Sequence, residues 1–290
     1  MSFSNDVKTE LLPVVPKARH CVIAELAAMS YLLLKPEKGS ENKAFRVDTE
    51  NDEIRKKYFT LLSKTISIDG YDASLDEEET KALFRVLKVK DSFSRVDGVL
   101  LQQPCCKRAF LRGAFLVSGS LSDPKKGYHF EIVLKEETIA EQLKEIITSF
   151  GIDAKIVLRK NSFVVYVKES DQIVDLLALM GANAAYLKFE NIRIEKEMRN
   201  SINRKVNCET ANITKTVSAA VRQMEDIRLI DKTMGLKSLP GNLQKIAELR
   251  LEYPDMSLKD LGNLLDPPVG KSGVNHRLRR IGEIAESIRS

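Results

Sequence analysis

The chain has 290 residues, 43% of them apolar and 30% charged, with a net charge of +5. That length suggests two domains, and the apolar share is enough for true cores and excludes a disordered chain. No apolar run reaches about 18 residues, so no membrane span is predicted. Met1 to Glu10 is polar and lacks the apolar core of a signal peptide, which points to the cytoplasm.

The charge is unevenly placed. Residues 1–190 hold 28 Lys and Arg against 28 Asp and Glu, while residues 191–290 hold 18 against 13. All the excess cation therefore sits in the last third, where a phosphate-binding surface is expected. The neutral first two-thirds is expected to do something other than grip DNA. The four cysteines, Cys21, Cys105, Cys106 and Cys208, show no CxxC spacing. Adjacent Cys105-Cys106 does not suit a structural zinc site, and reduced thiols are the simplest account, so no metal or cofactor is expected. His20, His129 and His276 lie in three different segments, and no Gly-rich phosphate loop follows a strand, so neither a catalytic triad nor nucleotide hydrolysis is expected.

In chain order, residues 20–34 predict a helix carrying Ala24, Ala27 and Ala28, small residues that let two helix backbones approach closely. Phe45–Val47 predicts a short strand. Ile54 to Ile66 predicts a helix with Ile54, Tyr58, Leu61, Leu62 and Thr65 at the right spacing. Asp76 to Glu79 is an acidic loop or helix start, and Ala82 to Val89 predicts a strand. The plan then repeats. Pro104 opens a helix running to Gly119, and Tyr128–Leu134 alternates as a strand. Ile139 to Phe150 predicts a helix before Gly151. Ala154–Leu158 and Phe163–Val167 predict a hairpin across Lys160-Asn161, and Ile173 to Met180 a helix closed by Gly181. Two such halves, 1–100 and 101–190, make an α+β pair of pseudo-repeats.

Residues 191–238 predict one or two long basic helices. Arg193, Lys196, Arg199, Arg204, Lys205 and Lys215 stand among five asparagines, a residue of poor helix propensity. A solvated connector would carry such charge too. Arg199, Arg204, Lys205 and Lys215 are candidate auxiliary DNA contacts. Residues 239–290 predict an all-α unit. Leu243, Ile246, Ala247 and Leu249 mark a helix stopped at Pro254. Ser257 is the N-cap of a second helix, with Asp260 at the capping-box position and Leu258, Leu261, Leu264 and Leu265 at helical spacing. Asp266-Pro267-Pro268 stops it.

A last helix starts near Lys271, with Val274, Leu278, Ile281, Ala285 and Ile288 on one face. At about 100° per residue, Ser272, Asn275, His276, Arg279 and Arg280 project from the opposite side, followed by Glu283 and Glu286. A helix in the major groove touches base edges with its N-terminal residues, so cations first and carboxylates last fit a recognition helix. An amphipathic helix with an ordinary charged exterior gives a similar pattern. Asn275 suits adenine and Arg279 suits guanine. The candidate DNA-binding residues are Ser257, Lys259, Lys271, Ser272, Asn275, His276, Arg277, Arg279 and Arg280. The connection Asp266–Gly270 is longer than the usual helix-turn-helix turn of about 3–4 residues.

Phe110 to Ser120 resembles the LAGLIDADG helix of homing endonucleases, with a weaker match at Leu26-Ala27-Ala28-Met29. That resemblance implies two helices at a pseudo-twofold interface, each ending in a metal-binding acid. Those positions fall on Leu33 and Ser118, and neither is a carboxylate, the normal ligand of a hard cation. Asp123 is the one nearby acid, and a single carboxylate does not build a two-sided site.

The whole chain is similar to the WhiA family of bacterial regulators. The resemblance is carried by Ser2-Phe3-Ser4 with Val7-Lys8, by Arg108 to Pro124, by Met198-Arg199-Asn200 with Asn203-Arg204, by Val206 to Asn212 and by Lys271 to Arg279. It implies an α+β degenerate endonuclease-like domain joined to an all-α helix-turn-helix domain. It also implies transcription regulation linked to cell division, chromosome segregation or sporulation. Three functions follow as expectations: a sequence-specific binder of double-stranded DNA at the nucleoid, a scaffold whose residues 1–190 bind a transcription-machinery protein, and a metal-dependent nuclease. Leu33 and Ser118 count against the third.

Overall fold

The computed structural model describes residues 2–37, 44–66, 74–89 and 95–289. The chain divides into a unit of Met1–Glu197 and a unit of Met198–Ser290.

The first unit opens with α1 (Phe3–Leu11), a helix not singled out in the polar N-terminus. Its apolar residues are few but fall on one face, where Phe3, Val7 and Leu11 are buried, and the Ser2 hydroxyl caps it by accepting the Asn5 N–H at 3.2 Å. Two similar halves follow. In the first, α2 (Arg19–Leu33) leads to β1 (Leu34–Pro36), β2 (Phe45–Val47), α3 (Asp52–Ser63), β3 (Ser74–Leu75) and α4 (Glu77–Leu87). The strands form an antiparallel sheet in the order β1-β2-β3, with Leu34 opposite Val47 and Phe45 opposite Leu75. In the second, α5 (Pro104–Ser118) leads to β4 (Gly119–Leu121), β5 (Phe130–Leu134), α6 (Glu137–Thr148), β6 (Lys155–Arg159), β7 (Ser162–Val167) and α7 (Ser170–Met180). Its antiparallel sheet runs β4-β5-β7-β6.

The fold is the expected α+β arrangement, with one correction. The predicted strand Ala82 to Val89 lies in α4 and the turn after it. Thr80, Leu83 and Leu87 are buried at i, i+3 and i+7, the spacing of a helix face. The acidic run before it is the helix start. Asp76 accepts the Glu79 N–H at 2.8 Å, while Glu79 accepts the Asp76 N–H at 3.1 Å, a complete capping box. The β6–β7 hairpin turns on Lys160 and Asn161, both with positive φ (44° and 62°), as a two-residue turn requires.

The two halves meet along α2 and α5. Ala24, Ala27 and Ala28 are buried there. A Cβ at Gly113 would lie 2.7 Å from the Glu25 carbonyl oxygen and 3.1 Å from the Ala28 Cβ, so only glycine permits this approach. Between the helices sits a buried ionic group. Glu25 Oε2 accepts from Arg112 Nε at 3.1 Å and Nη2 at 2.5 Å, Lys57 Nζ lies 3.3 Å from Oε1, and Arg112 Nη1 donates to the Met180 carbonyl at 3.2 Å.

The basic stretch is one continuous helix, α8 (Asn183–Met234), which belongs to the first unit through Glu197 and to the second from Met198. The Thr214 and Thr216 hydroxyls donate to the Thr210 and Asn212 carbonyls, each at 2.9 Å, so residues of weak propensity satisfy themselves inside the helix. The second unit adds α9 (Gly241–Glu252), α10 (Leu258–Asn263) and α11 (Lys271–Arg289). Its own core joins Ile227 and Ile230 of α8 to Leu243 and Ile246, Leu261 and Leu265, and Val274, Leu278, Ile281 and Ala285.

Candidate nucleic-acid interface

The second unit fixes the placement of α11 through its turn. Ser257 caps α10, accepting the Asp260 N–H at 3.3 Å and donating to Asp260 Oδ2 at 2.6 Å. Its hydroxyl is thus already engaged, while Lys259 beside it is exposed. Leu261 and Leu265 turn inward, but Leu264 is 50% exposed, so the predicted apolar set is one residue too wide.

Two residues that set the turns on either side of α10 are not among the sequence-predicted site residues. Val269 N–H donates to the Gly262 carbonyl at 3.0 Å, and a Cβ on Gly262 would lie 1.9 Å from the Val269 oxygen. The long Asp266–Gly270 connection therefore folds back onto α10 at a position only glycine can occupy. Arg250, buried on α9, donates through Nη1 to the Pro254 and Met256 carbonyls at 3.1 and 2.9 Å and so holds the α9–α10 turn. A glycine within a leucine-rich helical run was the available signal for the first. Nothing in the sequence marked Arg250.

On α11 the buried stripe is Val274, Leu278, Ile281 and Ala285, with Ile288 half-buried at its end. Ser272, Asn275, His276, Arg279 and Arg280 are exposed together on the other side, and Lys271 is exposed in the first turn, nearer the apolar stripe. Arg280 lies eight positions beyond Ser272, so the strip is about 12 Å long at 1.5 Å per residue. Arg277 is half-buried, at the border between this strip and the core.

Charge along the helix is partly self-neutralised. Glu283 takes Arg280 Nη1 at 2.9 Å and lies 3.7 Å from Arg279 Nε. Exposed pairs of this kind are worth at most about 1 kcal/mol, so an incoming phosphate or base edge breaks them at small cost. At the far end Arg289 is turned to structure. It lies 2.7 Å from the buried Asp226 and 3.3 Å from Glu286, and the Asp226 carboxylate holds its pKa above the usual value. Asp226 packs beside Gly282, which leaves room for it.

The basic run of α8 splits in use. Arg193 pairs with Asp171 and Glu190. Lys196 lies 4.6 Å over the Tyr128 ring and donates to the Pro124 carbonyl at 3.1 Å. Both are therefore occupied within the first unit. Arg199, Arg204, Lys205 and Lys215 are exposed.

The endonuclease-like positions are also in view. Leu33 and Ser118 are the last residues of α2 and α5, the first buried and the second half-buried. Asp123 accepts the Lys125 N–H at 2.9 Å in a surface turn. Glu131, on β5, is taken up by His129 at 3.0 Å, Ser120 at 3.1 Å and Arg159 at 3.6 Å. No helix among the described residues is long and apolar enough to cross a membrane.

Comparison with known proteins agrees with this architecture. A family model described as the WhiA LAGLIDADG-like domain matches residues 107–199, and one described as the WhiA C-terminal HTH domain matches residues 202–285. The chain is 49% identical to the probable cell division protein WhiA of Lachnoclostridium phytofermentans, over 100% of both chains. It is 45% identical to the protein of the same name from Alkaliphilus metalliredigens, over 99% of this chain and 98% of that one. Among solved structures, full-length WhiA from Thermatoga maritima superposes with a TM-score of 0.60 at 26% identity, covering 99% of each chain.

Proposed function

The chain belongs to the WhiA family, and from that premise we propose that it is a sequence-specific DNA-binding regulator of transcription. Its cellular role is tied to cell division, in the sense its relatives' names carry, and to chromosome segregation or sporulation. It works in the cytoplasm at the nucleoid. α11 reads bases through Asn275 and Arg279, with Ser272, His276 and Arg277 beside them. Ser257, Lys259, Lys271 and Arg280 position the helix on phosphate. Arg199, Arg204, Lys205 and Lys215 add auxiliary contacts. Residues 239–290 serve as the DNA-binding domain and 191–238 as its basic helical lead-in. Residues 1–100 and 101–190 form a scaffold that has lost nuclease chemistry.

The observation that carries the reading is the exposed strip of α11, with its cations in the N-terminal half and its carboxylates in the C-terminal half. The test is selection of bound sites from random duplexes with the full chain, followed by binding of the selected site and its single-base variants. Arg279→Ala relaxes preference at one position and costs about 1–3 kcal/mol on the selected site. Equal loss on every sequence would reduce Arg279 to a phosphate contact.

The net zero charge of residues 1–190 favours a second, compatible role. That surface binds another protein, a component of the transcription machinery, while the basic C-terminal third holds DNA. Failure of the full chain to retain any such partner in a pull-down, with DNA binding intact, counts against that role alone.

A further inference from the structure

The two central helices of the first unit begin with the same chemistry. Arg19 and Pro104 are the first residues of α2 and α5, so His20-Cys21 and Cys105-Cys106 occupy equivalent places in the first turns of the two helices. The pseudo-repeat brings them together. His20 Nδ1 lies 3.1 Å from Cys106 Sγ, 3.4 Å from Cys21 Sγ and 4.0 Å from Cys105 Sγ. All four ligand atoms fall within 4.8 Å of one another, and this is the one such His/Cys/Asp/Glu group among the described residues. We propose that His20, Cys21, Cys105 and Cys106 bind a zinc ion that joins the first turns of α2 and α5.

The geometry is that of a tetrahedral site. With Zn–S near 2.3 Å and Zn–N near 2.0–2.1 Å, tetrahedral angles put sulfur and nitrogen about 3.6 Å apart and two sulfurs about 3.8 Å apart. The three His20 distances bracket the first of these values, and all four ligand atoms lie within 4.8 Å of one another. Three thiolates and one imidazole are a soft set that selects zinc over magnesium or calcium, and four protein ligands leave no open position, as in a structural site.

Charge balances as well. Binding releases one proton to solvent from each of the three cysteines, so the filled site carries two positive charges from zinc and three negative from sulfur. Two helix N-termini, each worth roughly half a positive charge, face the remaining negative one. Cys21 and Cys106 are buried and fix the inner half, while His20 and Cys105 are exposed and give the ion a way in. The site lies at the opposite ends of α2 and α5 from Leu33 and Ser118, the positions equivalent to endonuclease metal ligands. It departs from the expectation, drawn from adjacent cysteines, that no metal binds.

The test uses the full chain, reduced and stripped with a chelator. Zinc is added against a chromophoric competitor, and cobalt(II) serves as the spectroscopic probe. One equivalent of zinc binds per chain, and cobalt gives the intense visible bands of a tetrahedral site together with thiolate-to-metal charge transfer. Binding is lost in Cys21→Ser and Cys106→Ser. It is also lost in the surface changes His20→Ala and Cys105→Ser, whose far-ultraviolet dichroism stays that of the wild type. Cys208→Ser keeps the full equivalent. Zinc raises the melting temperature of the stripped wild type by several degrees and leaves that of His20→Ala unmoved. Three results overturn the proposal: no stoichiometric zinc in the stripped wild type, cobalt spectra without thiolate bands, or equal binding in all four variants. A Cys21–Cys105 or Cys21–Cys106 disulfide, found by mass spectrometry in protein purified without reductant and resistant to zinc, would overturn it in favour of a redox pair.

Discussion

At the scale of single residues, the most exacting feature is the buried group of Glu25, Lys57 and Arg112. One carboxylate there answers two cations, and Glu25 is fully buried. Burial pulls the Lys57 ammonium below its usual pKa, while Glu25 opposes the shift. Such a group adds little net stability over an apolar packing of equal volume, but losing one partner is costly because the others stay buried and unpaired. Glu25→Gln keeps the shape and removes the charge. It is expected to lower unfolding free energy by about 3–5 kcal/mol, read from urea denaturation. A loss under about 1 kcal/mol would mean that water reaches the site. This group was illegible in the sequence for a plain reason. Glu25 and Arg112 are 87 residues apart, and each alone reads as an ordinary surface charge on a helix. The same holds for His20 and Cys106, which are 86 residues apart. Spacing arguments see ligands that lie close along the chain, whereas here the pseudo-repeat supplies half the ligands from each side.

At the scale of elements, periodicity served well wherever an element has one wet face. The stripe Val274, Leu278, Ile281 and Ala285 is buried as its spacing predicts, and the hairpin turns on Lys160-Asn161. It failed at α4, where a short apolar run suits a strand as readily as a helix and the capping box together with the buried face of Thr80, Leu83 and Leu87 decides. It also overcounted α10, because the helix stops at Asn263 before Leu264 can turn inward. The turn after α10 depends on Gly262. Gly262→Ala would force a methyl group to within 1.9 Å of the Val269 carbonyl oxygen unless the loop moves. The expected cost is about 1–3 kcal/mol, with thermal unfolding as the measure. Because Val269 leads directly into α11, DNA affinity falls further than stability alone explains. Wild-type affinity at a temperature where the variant is fully folded would separate the turn from the recognition surface.

At the scale of the whole molecule, the division of charge predicts a division of labour. The first unit carries the endonuclease-like plan but places Leu33 and Ser118 where the resemblance requires acids. Plasmid incubated with Mg²⁺ or Mn²⁺ should therefore show no nicking above a buffer control, and cleavage abolished by Asp123→Ala would reverse that view. The excess cation lies beyond residue 190, and its use in DNA binding is measurable without knowing the operator. Each phosphate neutralised by a side chain adds about 0.9 to the steepness with which log affinity falls against log salt. Lys271 and Arg280 are both exposed on α11, Lys271 in its first turn and Arg280 held by Glu283. Changing either to alanine should weaken binding by similar factors on every duplex and lower the salt slope by about 0.9, and changing both should lower it by about 1.8. Arg279→Ala gives the contrasting signature, with base preference altered at one position. An unchanged slope in the double variant would move the phosphate surface off α11, and the exposed cations Arg199, Arg204, Lys205 and Lys215 on α8 would then be the next to change.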